Sequence, residues 1–253
     1  MDISGVAAIV TGGASGLGEG AARLLAEAGA KVSIFDVQAD KAAEVAKDIG
    51  GLALSCDVTS AESAQQAFDK AREAHGPCGI ALNCAGIGTP AKILGRDGPM
   101  SMDFFNKVIS VNLSGSFNIL RLAAAEMQTR EANDDGERGV IISTASIAAF
   151  DGQIGQAAYS ASKGGIVAMT LPAARELARF GIRVLAIAPG LFMTPMMASL
   201  PQEAQDSLAA TLPFPSRLGK PYEFARLVKE MVENPILNGE VVRIYSALRM
   251  APK

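Results

Sequence analysis

A serine, a tyrosine and a lysine are the residues of this sequence best suited to acid/base chemistry: Ser146, Tyr159 and Lys163. Tyr159 and Lys163 stand four residues apart, and on a helix this spacing places both side chains on one face. A nearby ammonium stabilises a phenolate and lowers the pKa of the phenol from its usual value of about 10. The spacing therefore predicts that Tyr159 exchanges a proton near neutral pH, with the Ser146 hydroxyl directed at the same reacting oxygen.

A glycine-rich turn near the start of the chain gives this pair its context, because a tyrosine and a lysine four residues apart also occur on many solvated helices. Gly12, Gly16 and Gly18 follow the apolar run 6–10 and precede a segment of helical periodicity that stops at Gly29. Such a turn lets backbone N–H groups and a helix N-terminus approach a phosphate. It predicts a site for a dinucleotide pyrophosphate, the alternative being a glycine-rich loop without a ligand.

Asp36 indicates which dinucleotide is bound. It ends the second predicted strand, at the position where an acidic side chain accepts hydrogen bonds from the adenosine ribose and repels a 2′-phosphate. No arginine or lysine stands at the neighbouring positions Ser15 and Val37. The pattern favours NAD(H) over NADP(H), and the alternative is a solvated aspartate at a strand end.

Short apolar runs alternate with helical patterns along the chain. This alternation predicts the α/β class and a single-domain, doubly wound Rossmann fold, with a seven-stranded parallel sheet and helices on both faces. The strands are predicted at Val6–Thr11, Lys31–Asp36, Leu52–Cys56, Ile80–Asn83, Val140–Ala145, Arg183–Ala188 and Glu240–Tyr245. Without a repeat or a linker, residues 1–253 are expected to form one domain. A capping box is predicted from Thr59 to Glu62, and a surface loop from Arg130 to Arg138.

The composition argues against several function classes. A net charge of −3 and a pI near 5.3 leave no basic excess for nucleic acid or an anionic membrane. The N-terminal residues carry no signal-like segment, so we expect neither secretion nor a membrane span. Three cysteines without metal-ligand spacing predict no metal site and a reducing compartment, the cytoplasm or, in a eukaryote, the mitochondrial matrix. The only histidine, His75, is expected to cap a helix, which excludes a histidine-based mechanism.

Together these motifs resemble the short-chain dehydrogenase/reductase family over essentially the whole chain. Further marks of that family are Asp57-Val58, Asn83-Cys84-Ala85-Gly86, Asn112 and Pro189-Gly190, in the expected order and spacing. The resemblance implies an NAD-dependent oxidoreductase that interconverts a secondary alcohol and a ketone. The non-enzyme alternative is a scaffold protein that binds NAD without turnover.

The resemblance also implies a role for each matching residue. Tyr159 takes the alcohol proton, Lys163 lowers the pKa of Tyr159 and bonds the nicotinamide ribose, and Ser146 donates to the substrate oxygen. Asn112 holds a water in a proton relay from Lys163, or else is a helix-bend asparagine bonded to backbone. The implied cofactor-binding residues are Gly12, Ser15, Gly16, Leu17, Gly18, Asp36, Asp57, Val58, Asn83, Ala85, Gly86, Tyr159, Lys163, Pro189, Gly190, Phe192 and Thr194. Of these, Asp57 and Val58 flank the adenine, although Asp57 alternatively serves only as a loop or helix-start residue.

Residues 189–221 form a long connection that we interpret as the substrate segment. Its apolar side chains predict either a mobile lid over an elongated apolar substrate or simple packing in the core or at a subunit contact. These side chains are Leu191, Phe192, Met193, Met196, Met197, Leu200 and Phe214.

Within the family, residues 152–159, 213–219 and 233–240 are similar to the type-2 3-hydroxyacyl-CoA dehydrogenases, which also oxidise hydroxysteroids. This likeness implies fatty acid metabolism, an (S)-3-hydroxyacyl-CoA substrate and a homotetramer, with a hydroxysteroid or another secondary alcohol as the alternative substrate. It places Gln153 and Gln156 at the substrate entrance beside Ser146 and Tyr159. The chain departs from the family at Tyr245-Ser246, where relatives have Asp-Gly. We expect a cost in stability if the replaced glycine needs a positive φ, and a changed tetramer contact.

Overall fold

A computed structural model describes residues 1–252 of the chain, apart from the side chain of Met196. The first half contains β1 (Ala7–Thr11), α1 (Gly16–Glu27), β2 (Lys31–Asp36), α2 (Ala39–Ile49), β3 (Leu52–Ser55), α3 (Ala61–His75), β4 (Ile80–Asn83), β5 (Leu94–Gly95), β6 (Gly98–Pro99), α4 (Met102–Ile109) and α5 (Gly115–Met127). The second half contains β7 (Gly139–Thr144), α6 (Ala157–Leu177), β8 (Ile182–Pro189), α7 (Pro195–Ala198), α8 (Gln202–Ala210), α9 (Pro221–Glu233) and β9 (Val241–Ile244).

Seven strands form one parallel sheet in the order β3-β2-β1-β4-β7-β8-β9, which confirms the predicted doubly wound Rossmann fold. All seven predicted strands are present, with ends within one residue of those predicted, because each contains a short apolar run. The strand order reverses between β1 and β4. In this fold, ligands bind beyond the carboxyl ends of the strands at such a reversal. The small antiparallel pair β5–β6 is not predicted from the sequence.

The sheet separates two layers of helices, each with its own core. On one face, Ile34 of β2 lies in a cluster with side chains of α1, α2 and α9. On the other face, the next residue, Phe35, meets Phe68 of α3 edge to face, with ring centroids 5.4 Å apart. This alternation along β2 is expected of a strand that is covered on both sides.

The predicted capping box is wrong by one residue. The N-cap of α3 is Ser60, whose hydroxyl accepts a hydrogen bond from the Ser63 N–H at 3.1 Å. Thr59 lies one residue before this cap, in a turn where its N–H and hydroxyl both donate to the Asp57 carboxylate, at 2.9 and 2.7 Å. His75 ends this helix as predicted, but its ring contacts the Ser33 hydroxyl at 3.1 Å, and Gly76 occupies the C-cap position.

The segment Arg130–Arg138 is a loop, but the prediction that it is a surface loop fails at Glu137. That side chain is buried and pairs with the guanidinium of buried Arg183 at 2.7 Å. Arg183 also donates to the carbonyl oxygens of Met231 and Val232, both at 2.7 Å. Glu137 is buried because it neutralises an arginine that ties β8 to the end of α9.

The helical stretch Met102–Met127 bends through an irregular π turn at Ser110–Ser114, between α4 and α5. By length and composition alone this stretch is apolar enough to span a membrane, and half of its most apolar window is buried within the fold. Core helices of soluble proteins share these properties, so the stretch carries no argument for a membrane.

Candidate active site

The glycine turn after β1 lies against the loop after β4. Gly12 has a φ of +64°, and a Cβ there would lie 2.7 Å from the Ala85 nitrogen. A Cβ at Gly18 would collide with the Gly12 carbonyl oxygen. Gly12 and Gly18 are therefore required by close approach of the protein's own backbone, which packs the turn tightly against the loop after β4 and against α1.

Helix α1 begins at Gly16, directly after this turn, with Ser15 in extended conformation at the N-cap and Leu17 packed on the core. The N–H groups of a first helical turn lack intrahelical partners and carry partial positive charge. The turn and helix end thus offer the donors that a pyrophosphate accepts, and the predicted residues Gly12, Ser15, Gly16, Leu17 and Gly18 lie together.

Asp36 is buried at the end of β2, not solvated. Its two carboxylate oxygens accept hydrogen bonds from the Ala14 N–H at 3.1 Å and the Gln38 N–H at 2.9 Å. These bonds hold the carboxylate beside the glycine turn and leave lone pairs for two further donors. Val37, beside it, is exposed.

Asp57 and Val58 differ in their surroundings. Asp57 is exposed, and its carboxylate is engaged in the turn with Thr59, as its alternative interpretation as a helix-start residue describes. Val58 is buried against Gly115, where a Cβ would lie 2.6 Å from the valine methyl. The adenine contact of these two residues stays a prediction.

Thr11 is a site residue that sequence reasoning missed. Its hydroxyl accepts hydrogen bonds from the N–H groups of Cys84 at 3.2 Å and Ala85 at 3.1 Å, which fastens the loop after β4 to the end of β1. Asn83, the residue before Cys84, donates from its side-chain amide to the Ser143 hydroxyl at 3.2 Å. Its oxygen is buried without a hydrogen-bond partner among the described residues. The position of Thr11 directly before Gly12 of the glycine turn is the feature of the sequence that indicates this role.

Ser146, Tyr159 and Lys163 converge at the carboxyl end of the sheet. Tyr159 and Lys163 lie in the first two turns of α6, with the ammonium nitrogen 5.8 Å from the centroid of the phenol ring. The ammonium donates to the Thr144 carbonyl oxygen at 2.6 Å. Ser146 follows β7, where its hydroxyl accepts from the Ala148 N–H at 3.1 Å. The structure thus brings together the three residues selected from the sequence.

The pKa of the Tyr159 phenol is shifted upward, whereas the sequence predicted a downward shift. Burial raises the pKa of the Tyr159 phenol, and the Ser146 hydroxyl acts more weakly in the other direction. Burial also lowers the pKa of the Lys163 ammonium, to about 8. The reason is desolvation, which disfavours the charged form of each group, while the ammonium donates its hydrogen bond to the Thr144 carbonyl.

Asn112 lies fully buried in the π turn, and its side chain is bonded to backbone. The amide oxygen accepts from the Ile87 N–H at 2.8 Å, and the amide nitrogen donates to the Ile87 carbonyl at 2.9 Å and to the Ser162 hydroxyl at 3.0 Å. Of the two interpretations, the backbone-bonded asparagine describes the side chain. π turns inside helices are common at functional sites.

Gly86 separates Asn112 from Lys163. A Cβ at Gly86 would lie 3.2 Å from the Asn112 amide oxygen and 3.6 Å from the Lys163 nitrogen. The two side chains thus face each other across one glycine. The water relay between them stays a prediction.

The segment after β8 is anchored to the cofactor side of the sheet. Phe192 forms a parallel bridge with Gly219 and is buried edge to face against Phe224, with ring centroids 6.4 Å apart. Thr194, the N-cap of α7, lies against the glycine turn, since a Cβ at Gly16 would be 3.6 Å from it. Pro189 and Gly190, Phe192 and Thr194 thereby lead the chain from β8 back to α1.

The apolar side chains of residues 189–221 divide between the two predicted roles. Leu191 and Met197 pack against a buried cluster that includes Leu212 and Leu218. Met193, Leu200 and Phe214 are exposed, and the side chain of Met196 lies outside the described residues. The segment contains helices α7 and α8, which the sequence did not predict.

A cavity of about 560 Å³ lies beside the loop that follows Ser146. Its walls include Phe150, Gln153 and Ile154 on one side and Lys92, Ile93 and Leu94 on the other. Gln156 is not among the lining residues; its amide oxygen accepts from the Gln153 N–H at 2.9 Å. Of the two glutamines expected at the substrate entrance, the structure places Gln153 on the cavity and Gln156 behind it.

The C-terminal turn has the conformation that its sequence disfavours. Ser246 and Ala247 have φ angles of +52° and +58°, so the turn does require positive φ where relatives have glycine. The Arg243 guanidinium before it stacks over Phe150 at 4.8 Å and over Tyr245 at 5.5 Å. These contacts join β9 to the loop that lines the cavity.

Within residues 1–252, no group of three or more histidine, cysteine, aspartate or glutamate residues is placed to hold a metal ion. The three cysteines are free thiols. Burial raises the pKa of the Cys84 thiol to about 11, so it is not a thiolate at neutral pH.

Comparison with known proteins places this geometry in a family. The model of the short chain dehydrogenases matches residues 6–205. The chain is 49% identical to 3-hydroxyacyl-CoA dehydrogenase type-2 of Drosophila melanogaster, over 99% of this chain and 100% of that protein. It is also 49% identical to the Homo sapiens protein of that name, over 99% of this chain and 97% of the other.

A solved structure has the same fold. The crystal structure of 3-hydroxyacyl-CoA dehydrogenase type-2 from Mycobacterium avium matches with a TM-score of 0.94 at 43% identity, covering 98% of both chains. Members of the matching family are oxidoreductases that use NAD(P) and act on small molecules. The chain therefore belongs to the short-chain dehydrogenase family and is an oxidoreductase.

Proposed function

We propose that this protein is an NAD-dependent 3-hydroxyacyl-CoA dehydrogenase that interconverts (S)-3-hydroxyacyl-CoA and 3-oxoacyl-CoA. The observation that carries the proposal is the convergence of Ser146, Tyr159 and Lys163 on the side of the sheet that holds the glycine turn. The substrate class is supported by relatives that are about half identical over nearly their whole length and carry that name.

The cofactor proposed is NAD and not NADP. The support is Asp36, a buried carboxylate held beside the glycine turn, with the exposed Val37 in place of a basic residue. The turn and α1 would hold the pyrophosphate, Asp36 the adenosine ribose, Asp57 and Val58 the adenine, and Lys163 the nicotinamide ribose. The remaining predicted contacts come from the loop after β4 (Asn83, Ala85 and Gly86) and from Pro189, Gly190, Phe192 and Thr194. When bound, NAD⁺ supplies the hydride acceptor.

Proton transfer falls to the protein. In the direction of alcohol oxidation, Tyr159 takes the hydroxyl proton while Ser146 donates a hydrogen bond to the same oxygen. In ketone reduction, Tyr159 protonates the developing alkoxide. The raised pKa of Tyr159 keeps the phenol protonated at neutral pH, which suits the acid role. We assign Lys163 to the ribose, and Asn112 to the relay behind it.

The substrate is proposed to bind in the cavity that Gln153 lines and to contact the segment 189–221, which does not itself line that cavity. The whole chain is proposed to act as one domain. The second candidate is a hydroxysteroid or another apolar secondary alcohol, favoured by the exposed apolar side chains Met193, Leu200 and Phe214. We further propose a homotetramer active in fatty acid metabolism, in the cytoplasm or, in a eukaryote, the mitochondrial matrix. The free thiols support a reducing compartment. The exposed apolar side chains of Phe117 and Leu171 support contacts between subunits.

The test is a steady-state assay of the purified protein with NAD⁺ and 3-hydroxybutyryl-CoA, followed by NADH absorbance, beside a hydroxysteroid panel and beside NADP⁺. We expect turnover of the hydroxyacyl-CoA with NAD⁺, and a loss of at least about 100-fold in kcat for Tyr159→Phe. The control is NADH binding to Tyr159→Phe, which should be retained. Faster turnover of a steroid would favour the second candidate. NADH binding without turnover of any substrate would identify a scaffold protein.

A further inference from the structure

We propose that Ser162 is a positioning residue for the reaction: it fixes Tyr159 relative to the loop after β4 by joining the backbone of Tyr159 to the side chain of Asn112. The inference rests on the proposed role of Tyr159. It assigns a function to a hydroxyl that stands between Tyr159 and Lys163 in the sequence and that neither of them uses with its side chain.

The Ser162 hydroxyl bridges two elements. It donates a hydrogen bond to the Tyr159 carbonyl oxygen at 2.7 Å and accepts one from the Asn112 amide nitrogen at 3.0 Å. The side chain is fully buried, at 0% exposure, so no water competes for either bond. A buried hydroxyl that uses its proton and a lone pair in this way fixes the distance between its partners.

Asn112 carries the connection onward to the loop after β4. Its amide makes a pair of hydrogen bonds with the backbone N–H and carbonyl of Ile87, at 2.8 and 2.9 Å. The next residue, Gly88, lies beside the phenol ring, because a Cβ there would be 3.7 Å from the Cε2 atom of Tyr159. The contacts therefore close on themselves: from Tyr159 through Ser162 and Asn112 to Ile87, and back to the Tyr159 ring through Gly88.

The closed set of contacts has a consequence for catalysis. The Tyr159 ring is held by the loop on one side, and its backbone is held to the same loop through Ser162. Without the Ser162 hydroxyl, α6 loses its hydrogen-bonded connection through Asn112 to the loop, and the phenol oxygen can shift relative to the substrate oxygen. A misplacement of about 1 Å at a reacting group costs up to about 100-fold in rate.

The experiment compares Ser162→Ala with Thr170→Val. Thr170 is buried on the same helix, and its hydroxyl donates only to the Ile166 carbonyl four residues earlier, at 2.8 Å. It is thus a matched loss of one buried hydroxyl away from the site. We expect Ser162→Ala to lower kcat on the order of 10-fold while the KM for NAD⁺ changes by less than about twofold. Thr170→Val should leave kcat unchanged.

A double-mutant cycle tests the path of the effect. Because Ser162 acts through the Asn112 amide, Ser162→Ala combined with Asn112→Ala should lower kcat no further than Asn112→Ala alone. Losses that multiply would overturn the proposal, and so would a wild-type kcat in Ser162→Ala. Wild-type turnover in the same assay tests the proposed function separately.

Amide hydrogen exchange supplies a readout that does not need turnover. The Ile87 N–H is bonded to the Asn112 amide oxygen, so loss of Ser162 should loosen that bond. We expect exchange in residues 84–90 to be on the order of 10-fold faster in Ser162→Ala than in the wild type, and unchanged in Thr170→Val. Equal exchange in all three proteins would contradict the proposal even if no substrate were turned over.

Discussion

The Lys163 ammonium nitrogen lies 2.6 Å from the carbonyl oxygen of Thr144, the last residue of β7. This hydrogen bond joins α6 to the strand whose end leads to Ser146. A single lysine, almost fully buried, therefore holds the helix that carries Tyr159 against that strand. Its burial lowers the pKa of the ammonium from 10.5 to about 8.

A first prediction follows for the pH dependence of ketone reduction. Lys163 is protonated below its pKa of about 8 and neutral above it. If the ammonium binds the nicotinamide ribose, kcat/KM for NADH should be level below that pH and fall by about tenfold per pH unit above it. The measurement is the reduction of acetoacetyl-CoA between pH 6 and 10, in units of about 0.5 pH.

Lys163→Arg is the matching variant, because a guanidinium keeps its charge throughout this range. Its overall rate should be lower, since the fork of donors does not reproduce the geometry of an ammonium, but the falling limb should disappear. A falling limb at the same pH in both proteins would assign that titration to another group.

Asp36 predicts the choice of cofactor. Asp36→Asn removes the negative charge that repels a 2′-phosphate, and we expect the ratio of kcat/KM for NADH to that for NADPH to fall by at least about 10-fold. The ratio cancels any general loss from the altered hydrogen bonds to Ala14 and Gln38. Asp57→Asn is the control: it makes the same chemical change at a carboxylate whose contacts to Thr59 an amide oxygen can reproduce. An equal shift in both variants would show that Asp36 has no special part in selection.

Alanine substitutions at Gly12 and Gly50 distinguish the cost of a positive φ from the cost of a steric clash with neighbouring backbone. Both have positive φ, +64° and +63°, but a Cβ at Gly12 would lie 2.7 Å from the Ala85 nitrogen, whereas nothing lies within 4 Å of one at Gly50. We expect Gly50→Ala to lower the free energy of unfolding by about 1 kcal/mol, the cost of strain alone. Gly12→Ala should cost about 1 to 3 kcal/mol more and should abolish NADH binding.

Urea denaturation and NADH fluorescence titration measure the two effects of these glycine variants. Similar losses of stability in the two proteins would mean that the loop after β4 moves aside. NADH binding by Gly12→Ala with wild-type affinity would remove the glycine turn from the cofactor site.

The C-terminal turn predicts a stabilising substitution. Ala247 has a φ of +58°, a conformation that glycine adopts without the steric cost that an L side chain incurs. We expect Ala247→Gly to raise the free energy of unfolding by up to about 1 kcal/mol, after allowance for the added freedom of the unfolded chain. Thermal and urea unfolding provide the measurement. The comparison variant is Ala251→Gly, a few residues on in the same tail and outside the positive-φ pair, where no gain is expected. A gain there of the same size would show that relief of the positive φ is not the cause.

The sequence by itself determined the sheet, because each strand contains a short apolar run and these runs alternate with helical patterns along the chain. It also selected the residues that converge, since Gly12, Asp36 and Ser146 lie at or just beyond the carboxyl ends of strands, which a parallel sheet brings to one edge. Their spacing along the chain and the rules of parallel sheets were sufficient for that.

Only the tertiary structure decided what these side chains touch. The bond from Lys163 to Thr144 spans 19 residues and that from Asn112 to Ser162 spans 50, and no local pattern specifies which backbone atom faces which side chain. The same holds for the pKa of Tyr159. The direction of its shift depends on the balance between desolvation of the phenol and its hydrogen bond with Ser146. Burial and orientation result from packing between elements far apart in sequence, and for that physical reason they became known only once the chain was folded.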